Sequence, residues 1–227
     1  RKKYIIGFFL AAGIFFLFYS ITHNYPFGTV NNLVDDEYLQ YVDFFCYLKN
    51  VLNGTARLDY SMGKSLGGNT MALVGYYLTS PFNLLVGLFN HSTMPMCIFL
   101  ITTLKVSLAS VTAIFFLSRR FPKLEDRYAV LLGLCYALSA YSIGQSDNIM
   151  WLDGVYMLPL LMYAVYDIVQ QERYAKLSLL VGYTIFANWY TGYMNCLFIP
   201  FYYCVEMLLF RCSQAPAARK TAKAQVF

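Results

Sequence analysis

Residues 71–89 read MALVGYYLTSPFNLLVGLF, and the number of membrane crossings in the chain turns on whether this stretch is one of them. It lies in a region, residues 65–104, without a formally charged side chain, and its length suits a helix crossing the ~30 Å hydrocarbon core of a bilayer. Its middle does not suit one. Thr79-Ser80-Pro81 interrupts the run, because proline lacks the N–H of a helical turn and pushes the residue before it toward extended backbone. Charge then decides. The next apolar run, residues 96–117, leads into Arg119, Arg120, Lys123 and Arg127. If both runs cross, these cations lie opposite the N-terminal Arg1-Lys2-Lys3; if only the second crosses, all share one side, as the positive-inside bias prefers. Residues 71–89 are therefore expected as a broken or re-entrant segment packed in protein at the outer leaflet, where irregular backbone is tolerated.

Composition agrees with a membrane protein and excludes a soluble domain: 59% of the 227 residues are hydrophobic and only 13% charged. Residues 4–21 form the first span. No small-residue cleavage site follows it, since His23-Asn24-Tyr25-Pro26 comes next, so it is read as retained and not as a signal peptide. The outer loop, residues 22–95, carries Pro26, Gly28, Gly54, Gly63, Gly67 and Gly68 as turn punctuation. Five spans are expected within residues 96–210, at 96–117, 128–143, 154–169, 177–187 and 196–210. Residues 211–227 are a basic cytoplasmic tail whose composition reads as an inner connection of a longer chain. On this layout Lys49, Arg57 and Lys64 are the outer cations, Lys105 sits inside a span, and every other Lys and Arg is inside. Asp35, Asp36, Glu37, Asp43, Asp59, Asp147 and Asp153 leave the outer face acidic. The expected fold is all-α: a single polytopic transmembrane helical bundle of about six spans, both ends cytoplasmic, with re-entrant or interfacial helices in the first outer loop.

The acids after the first span carry the functional argument. In a helical Asp35-Asp36-Glu37-Tyr38-Leu39-Gln40-Tyr41-Val42-Asp43 segment, Asp36, Gln40 and Asp43 share one face and Leu39, Val42 and Cys46 another. That stripe is either the solvated face of an interfacial helix or part of a site. Topology brings it to the same side as two other outer segments, Asp147-Asn148-Ile149-Met150-Trp151-Leu152-Asp153 and Asn188-Trp189-Tyr190-Thr191-Gly192-Tyr193-Met194-Asn195. Carboxylates that accept hydroxyl protons, amides, and flat aromatic faces are the materials of a sugar site. Candidate substrate-binding residues are Gln40, Asp43, Arg57, Lys64, Lys105, Asp147, Asn148, Trp151, Asp153, Asn188 and Tyr190.

Lys105 lies about 14 Å inside its span at ~1.5 Å per residue, where a lysine costs roughly 2.5–3.5 kcal/mol and needs a cavity or a partner. It either reaches the phosphate of a lipid-linked substrate or is held by a buried pair, tyrosines and backbone carbonyls. Glu206 and Asp167 sit near inner helix ends and are expected to be solvated or paired with basic neighbours. The six cysteines are scattered without a CxxC pair, and read as apolar fillers. His23 and His91 read as boundary residues. Gly63-Lys64-Ser65 lacks the upstream glycine of a phosphate loop, and Asn53-Gly54-Thr55 and Asn90-His91-Ser92 are chance-level glycosylation sequons.

Several motifs in register resemble one family. Asp36-x-x-x-Gln40-Tyr41, Gly63-x-x-x-Gly67-Gly68-Asn69, Tyr76-Tyr77-x-x-Ser80-Pro81, Asn148-Ile149-Met150-Trp151-Leu152-Asp153 with Leu158-Pro159, and Asn188-Trp189-Tyr190-Thr191-Gly192-Tyr193-Met194 follow the order of the bacterial YfhO family of multi-pass membrane proteins. The resemblance covers residues 1 to about 210, the N-terminal part of a longer protein. It implies a GT-C-like glycosyltransferase of the bacterial cell membrane. Such an enzyme takes a sugar from a polyprenyl-phosphate donor to an extracytoplasmic acceptor such as lipoteichoic acid or another cell-wall polymer, with membrane lipids as partners and no nucleic acid. It implies Asp36 as the catalytic or metal-binding acid, with neighbouring Asp35 as a second candidate, and a divalent cation, Mg or Mn, as a candidate cofactor. The alternative class is a non-enzymatic transporter or scaffold for lipids or lipid-linked glycans.

Overall fold

The computed structural model describes residues 1–28, 40–64 and 66–224. In chain order these form α1 (Lys2–Ile21), α2 (Val42–Leu52), a short antiparallel pair β1 (Tyr60–Ser61) and β2 (Gly68–Asn69), and α3 (Met71–Leu73), which runs on as a π-turn to Leu78. A 3-10 segment, Pro81–Leu88, precedes α4 (Met94–Arg120), and α5 (Asp126–Ala137), α6 (Ala140–Gly144), α7 (Leu152–Gln171), α8 (Ala175–Ala187) and α9 (Trp189–Ala224) follow. Backbone polar groups in hydrocarbon must bond within their own segment, which is why the long apolar runs are helices.

The order of packing follows from burial. The apolar window of α4 is 72% buried, that of α1 22% and that of α9 only 6%, so α4 is the central helix and α1 and α9 face outward. α4 contacts α1, α5 and α7, and α7 carries α8 and α9 on its other flank. Close approach on the first flank depends on two glycines. A Cβ on Gly7 of α1 would lie 2.2 Å from Ile114 Cδ1 of α4, and one on Gly133 of α5 would lie 2.5 Å from Ile114 Cγ1.

Four helices are long and apolar enough to cross a membrane, or five if the bent pair Met71–Leu78 and Pro81–Leu88 counts as one span. Six were expected, and the difference lies in two places. Residues 128–143 are interrupted: α5 stops at Ala137, and Ser139 starts α6 by accepting a hydrogen bond from the Ser142 amide. α8 has 13 residues, about 20 Å at ~1.5 Å per residue, short of the ~30 Å core. The bend in residues 71–88 is 93° and falls on Thr79-Ser80 before Pro81, where the missing N–H places it.

A third difference is the start of the last helix. Residues 188–195 were expected as an outer loop, but α9 begins at Trp189. Asn188 is extended, and its Oδ1 accepts from the Thr191 amide (2.8 Å) and Thr191 Oγ1 (2.9 Å), an N-cap that starts the helix early. Asn188→Ala should cost about 1–2 kcal/mol, read as a lower midpoint of thermal unfolding in detergent; an unshifted midpoint would show that the cap contributes nothing.

α2 packs on the bent segment at residues 71–88 and on the start of α4. Tyr41, Phe45 and Leu48, spaced four and three apart, are its buried face and join Val74, Val86, Met94, Ile98 and Ile149 in one cluster. The apolar face expected at Leu39, Val42 and Cys46 is thus turned by one position. Val42 and Cys46 only border this cluster, and Leu39 lies outside the described residues.

Candidate functional site

The bent segment at residues 71–88 is wedged between α2, the starts of α7 and α9 and the end of α8, and it assembles the aromatic residues. Tyr76 has its ring 4.7 Å from Tyr77, 5.6 Å from Trp189 and 6.1 Å from Tyr190, and Trp151 lies 5.9 Å from Tyr190 at a 30° tilt. Backbone ties hold the segment there. Asn188 Nδ2 donates to Tyr76 O (2.8 Å), Thr79 Oγ1 to Ala187 O (3.2 Å), and Asn83 Nδ2 to Tyr77 O (2.9 Å). Tyr77 OH donates to Gln40 Oε1 at 2.6 Å, which fixes the chain just before α2 to the same cluster. Tyr76 and Tyr77, which make this link, were not among the candidate site residues. Their position before the Ser80-Pro81 break was the available signal.

Two cavities flank the wedge. One, of about 370 Å³, lies between the end of α5 and the starts of α7 and α9 and is lined by Trp151, Ser139, Ser142, Leu158, Thr191 and Asn195 among others. Its floor needs a glycine: a Cβ on Gly154 would lie 2.6 Å from Thr191 Cβ, and Gly154 O also accepts from Asn195 Nδ2 at 3.0 Å. The other cavity, of about 450 Å³, lies under the β1–β2 pair and is lined by Asp43, Phe44, Tyr47, Ser61, Lys64 and Thr70. Asp43 and Lys64, both sequence candidates, thus meet across one cavity with a phenol and two hydroxyls that were not anticipated. Lys64 Nζ donates to Asn69 O at 2.6 Å, while Tyr47 OH donates to Arg57 O and bonds Thr70 Oγ1.

The remaining candidates divide between exposed and buried roles. Arg57 grips Asp59 with two hydrogen bonds, 3.0 and 2.7 Å, and that bond holds the Asp59 carboxyl below the usual carboxylate value. Both are exposed, and such pairs contribute little and exchange readily. Asp147 is half-buried in the turn before α7, and Asn148 Nδ2 donates to Gln145 Oε1 at 3.2 Å. Asn188 is fully buried, spent on the cap and on Tyr76, so it supports the site from behind.

Lys105 and Asp153 lie beneath the cluster, with side chains 0% and 1% exposed. Lys105 Nζ is 2.6 Å from Asp153 Oδ2 and donates to Ile149 O at 3.0 Å. The other carboxylate oxygen accepts from Ser80 Oγ (2.7 Å) and Tyr156 OH (2.8 Å), and Tyr156 OH meets Tyr183 OH at 3.1 Å. Of the two readings of Lys105, the structure shows the buried pair. Asp153 lies in the first turn of α7 as a buried partner, not in an exposed loop, because Ile149–Trp151 already forms a 3-10 turn that leads into the helix. Glu206 and Asp167 are paired too, Glu206 with Arg120 and Asp167 with Lys176, each at 2.7 Å.

Asp35 and Asp36, the candidate catalytic acids, lie outside the described residues. Among the described residues no group of three His, Cys, Asp or Glu side chains could hold a metal ion, so they do not by themselves supply a donor set for Mg or Mn. No curated protein and no solved structure matches the chain. The family described as bacterial membrane protein YfhO matches residues 7–227, and the chain belongs to that family.

Proposed function

We propose that the chain is the core of a GT-C type membrane glycosyltransferase that moves a sugar from a polyprenyl-phosphate donor to an extracytoplasmic acceptor such as lipoteichoic acid or another cell-wall polymer. The observation that carries this reading is the line of contacts from Gln40 through Tyr77 and Tyr76 to Trp151 and Tyr190. It ties Gln40, just before α2, to a pair of rings beside an apolar-walled cavity with convergent hydroxyls and an amide. Rings of this kind offer a flat apolar face to a pyranose, and small-molecule sites combine such walls with a few placed polar groups.

In this reading the Trp151 cavity takes the lipid-proximal part of the donor and the sugar rests against Trp151 and Tyr190. An acceptor hydroxyl attacks the anomeric carbon. A bond forms from that carbon to the acceptor oxygen as its bond to the phosphate oxygen breaks. The hydroxyl proton passes to the Asp36 carboxylate and the electron pair leaves with the polyprenyl phosphate. Arg57 and Lys64, which have only exposed or backbone partners, share the phosphate's charge.

The test is turnover of a labelled polyprenyl-phosphate sugar by the purified chain in detergent. An enzyme releases polyprenyl phosphate in step with acceptor labelling; activity that requires sealed vesicles and releases no free lipid phosphate would make the protein a transporter or scaffold. Trp151→Ala should raise KM for the donor with little change in kcat, since ring stacking is the same in the ground and transition states. A fall in kcat with unchanged KM would instead confine the contribution of Trp151 to the transition state and remove it from ground-state sugar binding.

A further inference from the structure

At the end of the bundle away from Trp151, α1 and α5 begin side by side, drawn onto α4 by Gly7 and Gly133. A cavity of about 410 Å³ opens between their first turns, lined by Lys2, Lys3, Ile6, Asp126, Arg127 and Val130. The spacing is regular. Lys2 and Ile6 are one turn apart on α1, and Asp126 and Val130 are one turn apart on α5. Each helix thus sets charge at the mouth and an apolar side chain one turn deeper. Leu10, 45% exposed, continues the apolar row on α1.

The mouth favours an anion. Three cations face a single acid in the wall. Lys3 is bonded to Asp126 at 2.7 Å and Arg127 to Glu125 at 2.8 Å, but Asp126, Arg127 and Glu125 are well exposed, and exposed pairs of this kind exchange easily. Among the described residues Lys2 makes no ion pair. The start of α5 has no side-chain cap, so first-turn N–H groups there add partial positive charge. A small free anion would leave Ile6, Val130 and Leu10 uncovered. A lipid covers both halves.

We propose that this slot binds an anionic phospholipid, its phosphate against Lys2 and Arg127 and one acyl chain along Ile6 and Val130. The proposal goes beyond the sugar-transfer reading and does not depend on it. Basic pockets between transmembrane helices are general headgroup sites.

The experiment is native mass spectrometry of the delipidated full chain titrated with phosphatidylglycerol, phosphatidylcholine or inorganic phosphate. Phosphatidylglycerol should be retained roughly thirtyfold better than phosphatidylcholine, from the attraction of two basic residues. Lys2→Gln/Arg127→Gln should abolish that preference, while Lys123→Gln/Arg211→Gln, which removes the same charge elsewhere, should keep it. In the unaltered chain, phosphatidylglycerol should slow amide hydrogen exchange in residues 2–6 and 126–130, a readout that requires no variant. Equal retention of the two lipids, equal loss in the two double variants, or displacement of phosphatidylglycerol by inorganic phosphate would each overturn the proposal.

Discussion

Replacing Asp36 with asparagine should lower sugar transfer by roughly 10²–10⁴-fold, the usual contribution of a general base, while membrane insertion and thermal stability stay as they were. Asparagine keeps the volume and hydrogen-bonding reach of the side chain but cannot take the acceptor's proton. The neighbour supplies the control. Asp35→Asn changes the same local charge one position away, so a base at residue 36 makes the two variants differ by orders of magnitude, whereas a purely electrostatic role makes them alike. Gln40, bonded to Tyr77, anchors the chain four residues after Asp36. Gln40→Ala should therefore weaken transfer less than Asp36→Asn, by loss of position and not of chemistry. An Asp36→Asn protein that glycosylates its acceptor at the unaltered rate would remove Asp36 from the mechanism.

The second large effect is on stability. Lys105→Met leaves Asp153 in the interior without its cation, and Asp153→Leu leaves the ammonium with Ile149 O as its remaining partner. Breaking one side of a buried pair costs about 3–5 kcal/mol, whereas replacing both sides with apolar groups is often close to neutral. Lys105→Met should sit at the lower end, because Ser80 and Tyr156 still donate to Asp153. Asp153→Leu should sit at the upper end, and the double variant should regain most of the loss. Thermal unfolding of the four proteins in one detergent completes the cycle. Additive losses would mean that the pair contributes no coupling. A Lys105→Met protein of unchanged stability that fails only in turnover would return Lys105 to the role of a substrate cation.

The same pair shows how far a linear reading reaches. A lysine in mid-span had to have a partner or a cavity, and that much was readable at position 105. The partner is 48 residues away, on a helix whose rotation depends on how α7 packs against α4, so its identity was not readable. Asp153 looked like an outer-loop acid because it follows polar residues and precedes an apolar run. Asn188 likewise looked like a loop amide available to substrate, since a cap and a free amide have the same local sequence. Asp43 and Lys64 were readable as polar residues of one loop, but their meeting across one cavity depends on the β1–β2 pair folding back over α2.

What the sequence determined alone is what depends on neighbours along the chain. Hydropathy marks the runs that must become helices, since unbonded backbone cannot persist in lipid. The missing N–H of Pro81 fixes the bend, and charge bias suggests which ends share a side. The tertiary structure decided what depends on neighbours across space: that Lys105 and Asp153 neutralise each other, that Tyr76 and Tyr77 bridge the first loop to Trp151, and that glycines at 7, 133 and 154 let helices close around the cavities. Those outcomes are set by the distance and rotation between helices. Both come from packing summed over many side chains, which no single stretch of chain records.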